Sequence, residues 1–338
     1  MIRWYILCRP FNVKRALLVL CIAVAFIWLL SSLKGNCEIH IRDDEFYPYV
    51  QFNLNDPQVS PVGIENKWFY LAVVVNADPR KPENRKAIRG SWGLANLQRG
   101  YIASNQDKLE WKVFFAMGKT GDNSQDSRNI REAEEQNDLL IGNFIDTYNN
   151  LVVKTFMSHL WTLRLKCKYV LKTDEDVYIR LPVLISWLRS QGSPARFYGG
   201  HVYEGYRAIR DPCSSKWAIS KAYFPDYYFP PFCGGAFHVI SSDVVPDIVW
   251  YTSQRPPFHL DDAYIGVVAR DLGIQAVNIP GFNAHDYNTI REFKKSKILK
   301  NTLDKKIAIG HRIEPEWIKR FHDYYFPLKS NRPQVVTI

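Results

Sequence analysis

The 338-residue sequence lacks several patterns that assign a chain to a common class of protein. It contains no long run of lysine and arginine, which makes nucleic acid a poor default partner. It has no CxxC pair, no cysteine–histidine zinc spacing and no Asn-x-Ser/Thr glycosylation sequon. Internal repeats and low-complexity segments are also missing. The function must therefore be sought in individual residues of an ordinary globular chain.

One long apolar run is present near the N-terminus. Residues 16–33 carry no charge, and their 18 positions are about the minimum that crosses a bilayer as a helix. Lys14 and Arg15 precede the run and acidic residues follow it, so the positive-inside rule keeps the N-terminus in the cytoplasm. A cleaved signal peptide is the alternative, but no small-x-small cleavage site follows the run. We expect a cytoplasmic tail at 1–15, a transmembrane signal anchor at 16–33, a stem at 34–67 and a lumenal domain at 68–338.

The basic surplus is small beyond this region. Residues 1–34 contribute +5 to the net charge of +10, so the remaining 304 residues carry only +5. That surplus suits anionic small ligands such as phosphates. Four cysteines follow the apolar run, and in an oxidising compartment they can pair in three ways.

From Trp68 onward, apolar runs alternate with amphipathic segments. Predicted strands cover 69–77, 111–118, 139–144 and 168–173, and predicted helices cover 82–93, 127–138 and 150–165. This alternation is typical of an α/β domain with a mostly parallel central sheet that helices cover on both faces. We therefore expect one α/β domain after the stem.

The segment VLKTDEDVYI, residues 170–179, places three consecutive carboxylates at the end of the fourth predicted strand. In open α/β sheets, ligands bind beyond the carboxyl ends of the strands. Asp174 and Asp176 share one side of an extended chain because side chains alternate with a period of two. Two carboxylates that face one way suit Mg²⁺ or Mn²⁺ holding a diphosphate. A solvated acidic turn is the alternative, which the apolar residues on both sides disfavour.

Arginine and glycine residues elsewhere could also contact a ligand. Arg85 and Arg89 lie four residues apart on one face of the first predicted helix, and arginine is suited to bidentate phosphate contacts. PDYYFPPFCGG (225–235) predicts a proline-stiffened loop whose rings could stack on sugar faces. Gly234 and Gly235 at its end would permit close approach of a ligand to the backbone. Surface arginines and a plain turn are the alternatives.

The segment HLDDAYIGVVARDLGI (259–274) predicts a helix whose first turn carries Asp261 and Asp262. The helix dipole favours an ionised carboxylate there, as a general base requires. Alone, the motif is equally that of an acidic helix N-terminus.

Six segments, taken in chain order, resemble the β-1,3-glycosyltransferase family that contains the β-1,3-galactosyltransferases and the β-1,3-N-acetylglucosaminyltransferases. They are NRKAIRGSW (84–92), NFIDTYNNLVVKT (143–155), KYVLKTDEDVYI (168–179), IRDPCSSKWAIS (209–220), YFPPFCGGAFHVIS (228–241) and HLDDAYIGVVARDLGI (259–274). The resemblance spans residues 68–320. It implies a GT-A-type nucleotide-sugar-binding fold, a UDP-sugar donor, Mn²⁺ and inversion at the anomeric carbon. It also implies a single-pass type II protein of the Golgi membrane.

The family's activity implies a glycan acceptor on a glycoprotein or glycolipid, with transfer to a sugar 3-hydroxyl. Galactose is the expected sugar, and UDP-N-acetylglucosamine or UDP-N-acetylgalactosamine is the alternative donor. A catalytically degenerate relative that only binds sugars is the non-enzymatic alternative, which the retained acids disfavour.

Several roles carry over to single residues by position. Asp174 and Asp176 match the family's metal and diphosphate motif, with Asp176 the more direct ligand. His311 matches a C-terminal histidine that completes the metal site in many such folds. Asp262 matches the carboxylate thought to be the catalytic base. Asp261, one residue earlier, is the competitor for that role, and its alternative role is to cap the helix by accepting hydrogen bonds from backbone N–H groups.

The nucleotide side is expected to include Arg89, Asp146 and Lys154, which fall in segments that line it in the family. The sequence departs from the family pattern at Phe237 and His238, where small and aromatic residues are more usual, so the acceptor fit is expected to differ. It also lacks the family's usual glycosylation sequon at the start of the third helix.

Cys167 and Cys233 flank the metal-binding strand and the glycine-ended loop. We expect a disulfide between them that ties these two walls of the site together.

Overall fold

The structure is a computed structural model of the chain and describes residues 20–24, 26, 54–94, 108–295 and 300–327. The predicted tail, most of the predicted anchor and the stem before residue 54 lie outside the described residues. Within the described part of the chain, no helix has the length and apolar character needed to cross a membrane.

The described chain alternates strands with helices over most of its length. The strands are β1 (Trp68–Asn76), β2 (Lys108–Lys119), β3 (Leu139–Ile145), β4 (Lys166–Asp174), β5 (Tyr178–Ile179), β6 (Tyr198–Tyr203), β7 (Phe232–Ser241), β8 (Ala276–Asn278), β9 (Phe282–Asn283) and β10 (Ala308–Ile309). The helices are α1 (Pro82–Arg89), α2 (Asn123–Gln136), α3 (Leu151–Thr162), α4 (Leu181–Ser190), α5 (Val245–Gln254), α6 (Asp261–Asp271), α7 (Tyr287–Lys294), α8 (Lys300–Asp304) and α9 (Pro315–Tyr325).

Seven strands form one sheet in the order β3-β2-β1-β4-β7-β6-β8. The strands β1 to β4 run parallel to one another, and β8 runs parallel to β6. The strand β7 is antiparallel to both β4 and β6. The prediction of an α/β domain with a mostly parallel sheet is therefore confirmed. A second sheet, β5-β10-β9, joins the segment after β4 to the C-terminal region.

The central strand β1 shows why the sheet is covered on both sides. Every residue of β1 after the first is buried. Val73 and Val75 pack into one apolar core, while Ala72 and Val74 pack into another. Because side chains alternate along a strand, these two cores lie on opposite faces of the sheet. Burial on both faces explains the unbroken apolar run in this part of the sequence.

The last part of one predicted loop is a strand in the structure. The segment 225–235 was expected to be a loop throughout, but β7 begins at Phe232, so both glycines lie inside the strand. Cys233 pairs with Val202 of β6, which draws this end of the segment into the sheet. Pro230 and Pro231 precede the strand, and proline lacks the N–H that a sheet ladder needs.

The predicted disulfide between Cys167 and Cys233 is wrong, because both cysteines are free. Cys167 lies near the start of β4, about 20 Å before Thr173 at roughly 3.3 Å per residue. Thr173 pairs with Phe237, which places Cys233 beyond the other end of β4. A disulfide requires Cα atoms within about 7 Å. Cys213 is disulfide-bonded instead.

Candidate active site

The acidic triplet lies at the carboxyl end of β4. Asp174 is the last residue of the strand, and Asp176 lies in the turn that follows. The Nδ1 atom of His311 lies 3.7 Å from a carboxylate oxygen of Asp174 and 3.5 Å from one of Asp176. One potential ligand atom from each of these residues lies within 4.8 Å of the other two. The structure thus brings together the three side chains predicted to hold a metal, Asp174, Asp176 and His311, which we call the metal-ligand cluster.

The donor set fits a divalent cation such as Mn²⁺. The Oδ1 atom of Asp176 is buried without a hydrogen-bond partner among the described residues, while Oδ2 accepts a 2.9 Å hydrogen bond from the backbone N–H of Arg312. An unpaired buried carboxylate oxygen is costly, and a cation would remove that cost. Carboxylate oxygens suit Mg²⁺ and Mn²⁺, and an imidazole nitrogen favours a transition-metal ion.

The surroundings push the pKa values of the two carboxyl groups in opposite directions. Burial raises the pKa of Asp174 above its ordinary value. Burial also acts upward on Asp176, but the neighbouring imidazole of His311 and the backbone N–H of Arg312 outweigh it and lower its pKa. For His311 burial acts downward, and the two carboxylates reverse it, so its pKa is raised. Strong mutual dependence of this kind is common at functional sites.

Lys172 supplies positive charge that the sequence reasoning missed. It lies two residues before Asp174 in β4, so both side chains lie on the same face of the strand. Its buried Nζ lies 3.0 Å from Asp174 Oδ1 and 3.5 Å from Asp261 Oδ2, and it donates to the carbonyl oxygen of Gly235. A buried acid is tolerated when it is paired in this way. The available signal was a lysine directly after the apolar run at 169–171 in a strand predicted to be buried.

Asp261 does not cap its helix as expected. Its buried carboxylate accepts a 2.8 Å hydrogen bond from the hydroxyl of Thr155 and pairs with Lys172. The N-cap position of α6 is Leu260, which makes no side-chain cap. The prediction of a capping role is wrong because these two partners already engage the carboxylate.

Asp262 lies at the same helix start with different partners. It accepts hydrogen bonds from the backbone N–H of Gly235 at 3.0 Å and of Ala263 at 2.8 Å. Burial, followed by the charge of Asp261, raises the pKa of Asp262 to about 6. Sequence reasoning identified the helix dipole but not this opposing burial. A carboxylate with a raised pKa is a better proton acceptor and is still ionised at neutral pH.

The two glycines of β7 make room for side chains of the protein itself. A Cβ atom at Gly235 would lie 3.3 Å from Asp262 Oδ2, and one at Gly234 would lie 2.6 Å from the ring of Tyr203. The sequence predicted that a ligand would come close to the backbone at these glycines. In the structure, the side chains of Asp262 and Tyr203 occupy that space instead.

The pair predicted to line the nucleotide lies along the same sheet edge. Lys154 Nζ lies 2.9 Å from both carboxylate oxygens of Asp146 and donates to the carbonyl oxygen of Ala77. Asn76, directly before Ala77, pairs with Asp174 across β1 and β4. The Asp146–Lys154 pair and the metal-ligand cluster therefore share the carboxyl edge of the parallel strands.

Arg85 and Arg89 are not presented to a ligand in this way. The fully buried guanidinium group of Arg85 binds Glu132, Asn129 and the carbonyl oxygen of Asp78. Arg89 binds Asp138 and Glu132. These contacts tie α1 to α2 and to the start of β3, which is a structural use of both arginines.

Comparisons with known proteins agree with this geometry. The family model described as Galactosyltransferase matches residues 83–280, which is more than half of the chain. Human Beta-1,3-galactosyltransferase 1 is 32% identical over 250 residues, which cover 72% of this chain and 72% of that protein. Human Beta-1,3-galactosyltransferase 5 is 28% identical over 265 residues, or 78% of this chain and 79% of that protein. The chain therefore belongs to the galactosyltransferase family, in its β-1,3-glycosyltransferase group.

Proposed function

We propose that the protein is an inverting β-1,3-galactosyltransferase that moves galactose from UDP-galactose to the 3-hydroxyl of a sugar on a glycoprotein or glycolipid. The observation that carries the proposal is the link between Asp262 and the metal-ligand cluster. Lys172 contacts Asp174 and the carbonyl of Gly235, and the N–H of Gly235 contacts Asp262. A base and a diphosphate-binding group therefore lie at one sheet edge. The names of the relatives support the donor sugar and the linkage.

The reaction requires a base for the acceptor and a counter-charge for the leaving group. As the acceptor oxygen bonds to the anomeric carbon, the bond from that carbon to the diphosphate breaks. Asp262 would take the proton of the acceptor hydroxyl during this step. Its two backbone hydrogen bonds hold the carboxylate in a fixed orientation. Because inversion takes a single displacement, the chain needs no covalent nucleophile.

Asp174, Asp176 and His311 would hold Mn²⁺, which when bound supplies a Lewis acid for the diphosphate oxygens. The Asp146–Lys154 pair would line the nucleotide. We leave Arg85 and Arg89 out of the binding site because their guanidinium groups already bind acids of the protein.

We also propose that residues 16–33 anchor the protein in the Golgi membrane, with the catalytic domain in the lumen. The charge pattern around the apolar run supports this orientation. Two assays on Golgi vesicles would test it. With a type II anchor, the protein should stay in the membrane pellet after alkaline carbonate extraction, and residues 68–338 should be protected from added protease.

The activity is tested with the full-length chain, Mn²⁺ and UDP-galactose, using a panel of sugar acceptors and NMR analysis of the product linkage. We expect a β-1,3-linked galactose and loss of transfer in excess EDTA. Asp176→Asn should abolish transfer and weaken Mn²⁺ binding, followed by electron paramagnetic resonance, by about 10-fold or more. Asp226→Asn, a change at an exposed aspartate, is the control.

Two results would overturn parts of the proposal. Transfer from another UDP-sugar but not from UDP-galactose would assign a different donor. Sugar binding without release of UDP from any donor would indicate a non-catalytic relative.

A further inference from the structure

An exposed group of side chains lies beside the proposed site and has no role in the mechanism above. Tyr148 lies in the turn between β3 and α3, while Lys216 and Trp217 lie in the long connection between β6 and β7. The Nζ atom of Lys216 lies 4.2 Å from the ring centroid of Tyr148 and 5.8 Å from that of Trp217. We call these three residues the mouth cluster. It joins two chain segments that are far apart in sequence.

Both rings of the mouth cluster are partly exposed to solvent. Tyr148 is 41% exposed and Trp217 is 54% exposed. Aromatic rings bury large apolar areas when a ligand covers them, and the C–H face of a pyranose is a suitable partner. The ammonium group of Lys216 lies over both rings, a contact that favours their present arrangement.

The mouth cluster adjoins the proposed base. The ring of His259 lies 3.3 Å from the carbonyl oxygen of Lys216, and His259 comes three residues before Asp262. Burial raises the pKa of Tyr148, and the negative charges of Asp262, Asp261 and Asp174 raise it further. The Tyr148 hydroxyl therefore lies within electrostatic reach of the carboxylates that carry the chemistry.

We infer that Tyr148 and Trp217, held in place by Lys216, form the platform on which the pyranose ring of the acceptor sugar stacks. This inference rests on the proposed function and deepens it. The base must meet the acceptor hydroxyl, so the acceptor is the sugar that requires a surface beside Asp262. The donor's nucleotide and diphosphate are assigned to the Asp146–Lys154 pair and the metal-ligand cluster, to which the β6–β7 connection contributes no residue.

The test compares Trp217→Ala and Trp217→Phe with the wild-type full-length chain, using Mn²⁺, UDP-galactose and para-nitrophenyl glycosides as acceptors. For Trp217→Ala we expect the acceptor KM to rise by about 10-fold or more, the scale of one lost stacking contact. The KM for UDP-galactose should stay within about 2-fold, since no donor contact is removed. Trp217→Phe keeps a ring and should recover most of the acceptor affinity.

Trp250→Ala is the matched control, because Trp250 is 60% exposed and lies on α5. Its neighbour Tyr251 contacts Asp271 at the C-terminal end of α6, about 13 Å along the helix from Asp262 at 1.5 Å per residue. We expect wild-type values for both substrates in this variant.

An unchanged acceptor KM in Trp217→Ala would overturn the inference. A rise confined to the KM for UDP-galactose would also overturn it, because the donor would then use the platform. If the wild type transfers no galactose, the proposed function fails, and saturation-transfer NMR of the same glycosides still tests the platform. Binding that Trp217→Ala abolishes would support it, while equal binding by both chains would overturn it.

Discussion

Asp261 and Asp262 are adjacent carboxylates, yet different groups surround them. Lys172 and Thr155 engage Asp261, whereas two backbone N–H groups engage Asp262. The carboxylate of Asp261 is thus tied to a buried cation that also pairs with Asp174, whereas Asp262 has no cationic partner of this kind among the described residues. The surroundings therefore favour Asp262 for the proposed role of base and Asp261 for a supporting role.

Substitution of the two residues should have separable effects. Asp262→Asn should lower kcat by about 10²–10⁴, the contribution typical of a general base, with little change in UDP affinity or Tm. Asp261→Asn should lower the free energy of unfolding by about 1–3 kcal/mol, because Lys172 loses a charged partner. Measurement of kcat, UDP affinity and Tm for both variants checks this. A near-normal kcat in Asp262→Asn would remove it from the catalytic role.

The pH dependence of the transfer rate should reflect the ionisation of Asp262. The pKa of Asp262 is raised to about 6, and a base must be unprotonated to act. The kcat/KM for the acceptor should therefore rise with pH, reach half of its limit near pH 6 and level off above it. A profile that stays flat down to pH 5 would show that another group accepts the proton.

At the scale of elements, the contact between β7 and the start of α6 positions Asp262, the proposed base. Gly235 donates its N–H to Asp262, and its missing side chain leaves space for the carboxylate. Gly235→Ala would put a Cβ atom 3.3 Å from Asp262 Oδ2 and push the carboxylate aside. We expect kcat to fall by about 10-fold or more, because misplacement by about 1 Å can cost 100-fold.

Gly90→Ala is a matched control for that prediction. Its Cβ atom would also lie 3.3 Å from an oxygen, the carbonyl of Lys86, but at the end of α1 and outside the proposed site. Steady-state kinetics and Tm for both variants are sufficient. Equal activity in the two would show that the glycine at 235 does not position the base.

The contact between α1 and α2 depends on the buried Arg85 and its partner Glu132. Arg85→Met should lower the free energy of unfolding by about 1–3 kcal/mol, because Glu132 loses one of its two arginine partners and keeps only Arg89. Denaturant titration measures the loss, and the double change Arg85→Met with Glu132→Met should recover part of it. If Arg85→Met left the stability unchanged but lowered the affinity for UDP, the result would support the phosphate-binding role that the sequence predicted for Arg85.

At the scale of the whole molecule, local patterns predicted the strands β1 to β4, the helices between them, the helix that begins at Asp261, and the sheet edge that carries the proposed site. The alternation of runs indicated the parallel sheet, and the end of the fourth strand located Asp174 and Asp176. Charge pairing was not predictable, because it depends on which strands become neighbours. Lys172 meets Gly235 because β7 lies beside β4, and no spacing in the sequence records that arrangement. The contacts of the α1 arginines were not predictable for the same reason, since their acidic partners lie on α2 and directly before β3.

The chemical state of the cysteines tests the strand order of the central sheet. Cys167 and Cys233 lie toward opposite ends of the β4–β7 pair, so a bond between them would require the sheet to come apart. In denaturant without reductant, iodoacetamide should label both, whereas Cys213 should be labelled only after reduction. In the folded protein, Cys167 should react faster than the fully buried Cys233, because reaction requires access to the thiolate. Peptide mapping by mass spectrometry measures each rate. A cross-linked peptide containing both residues would contradict the strand order itself, since no rearrangement of side chains alone could bring the two sulfur atoms together.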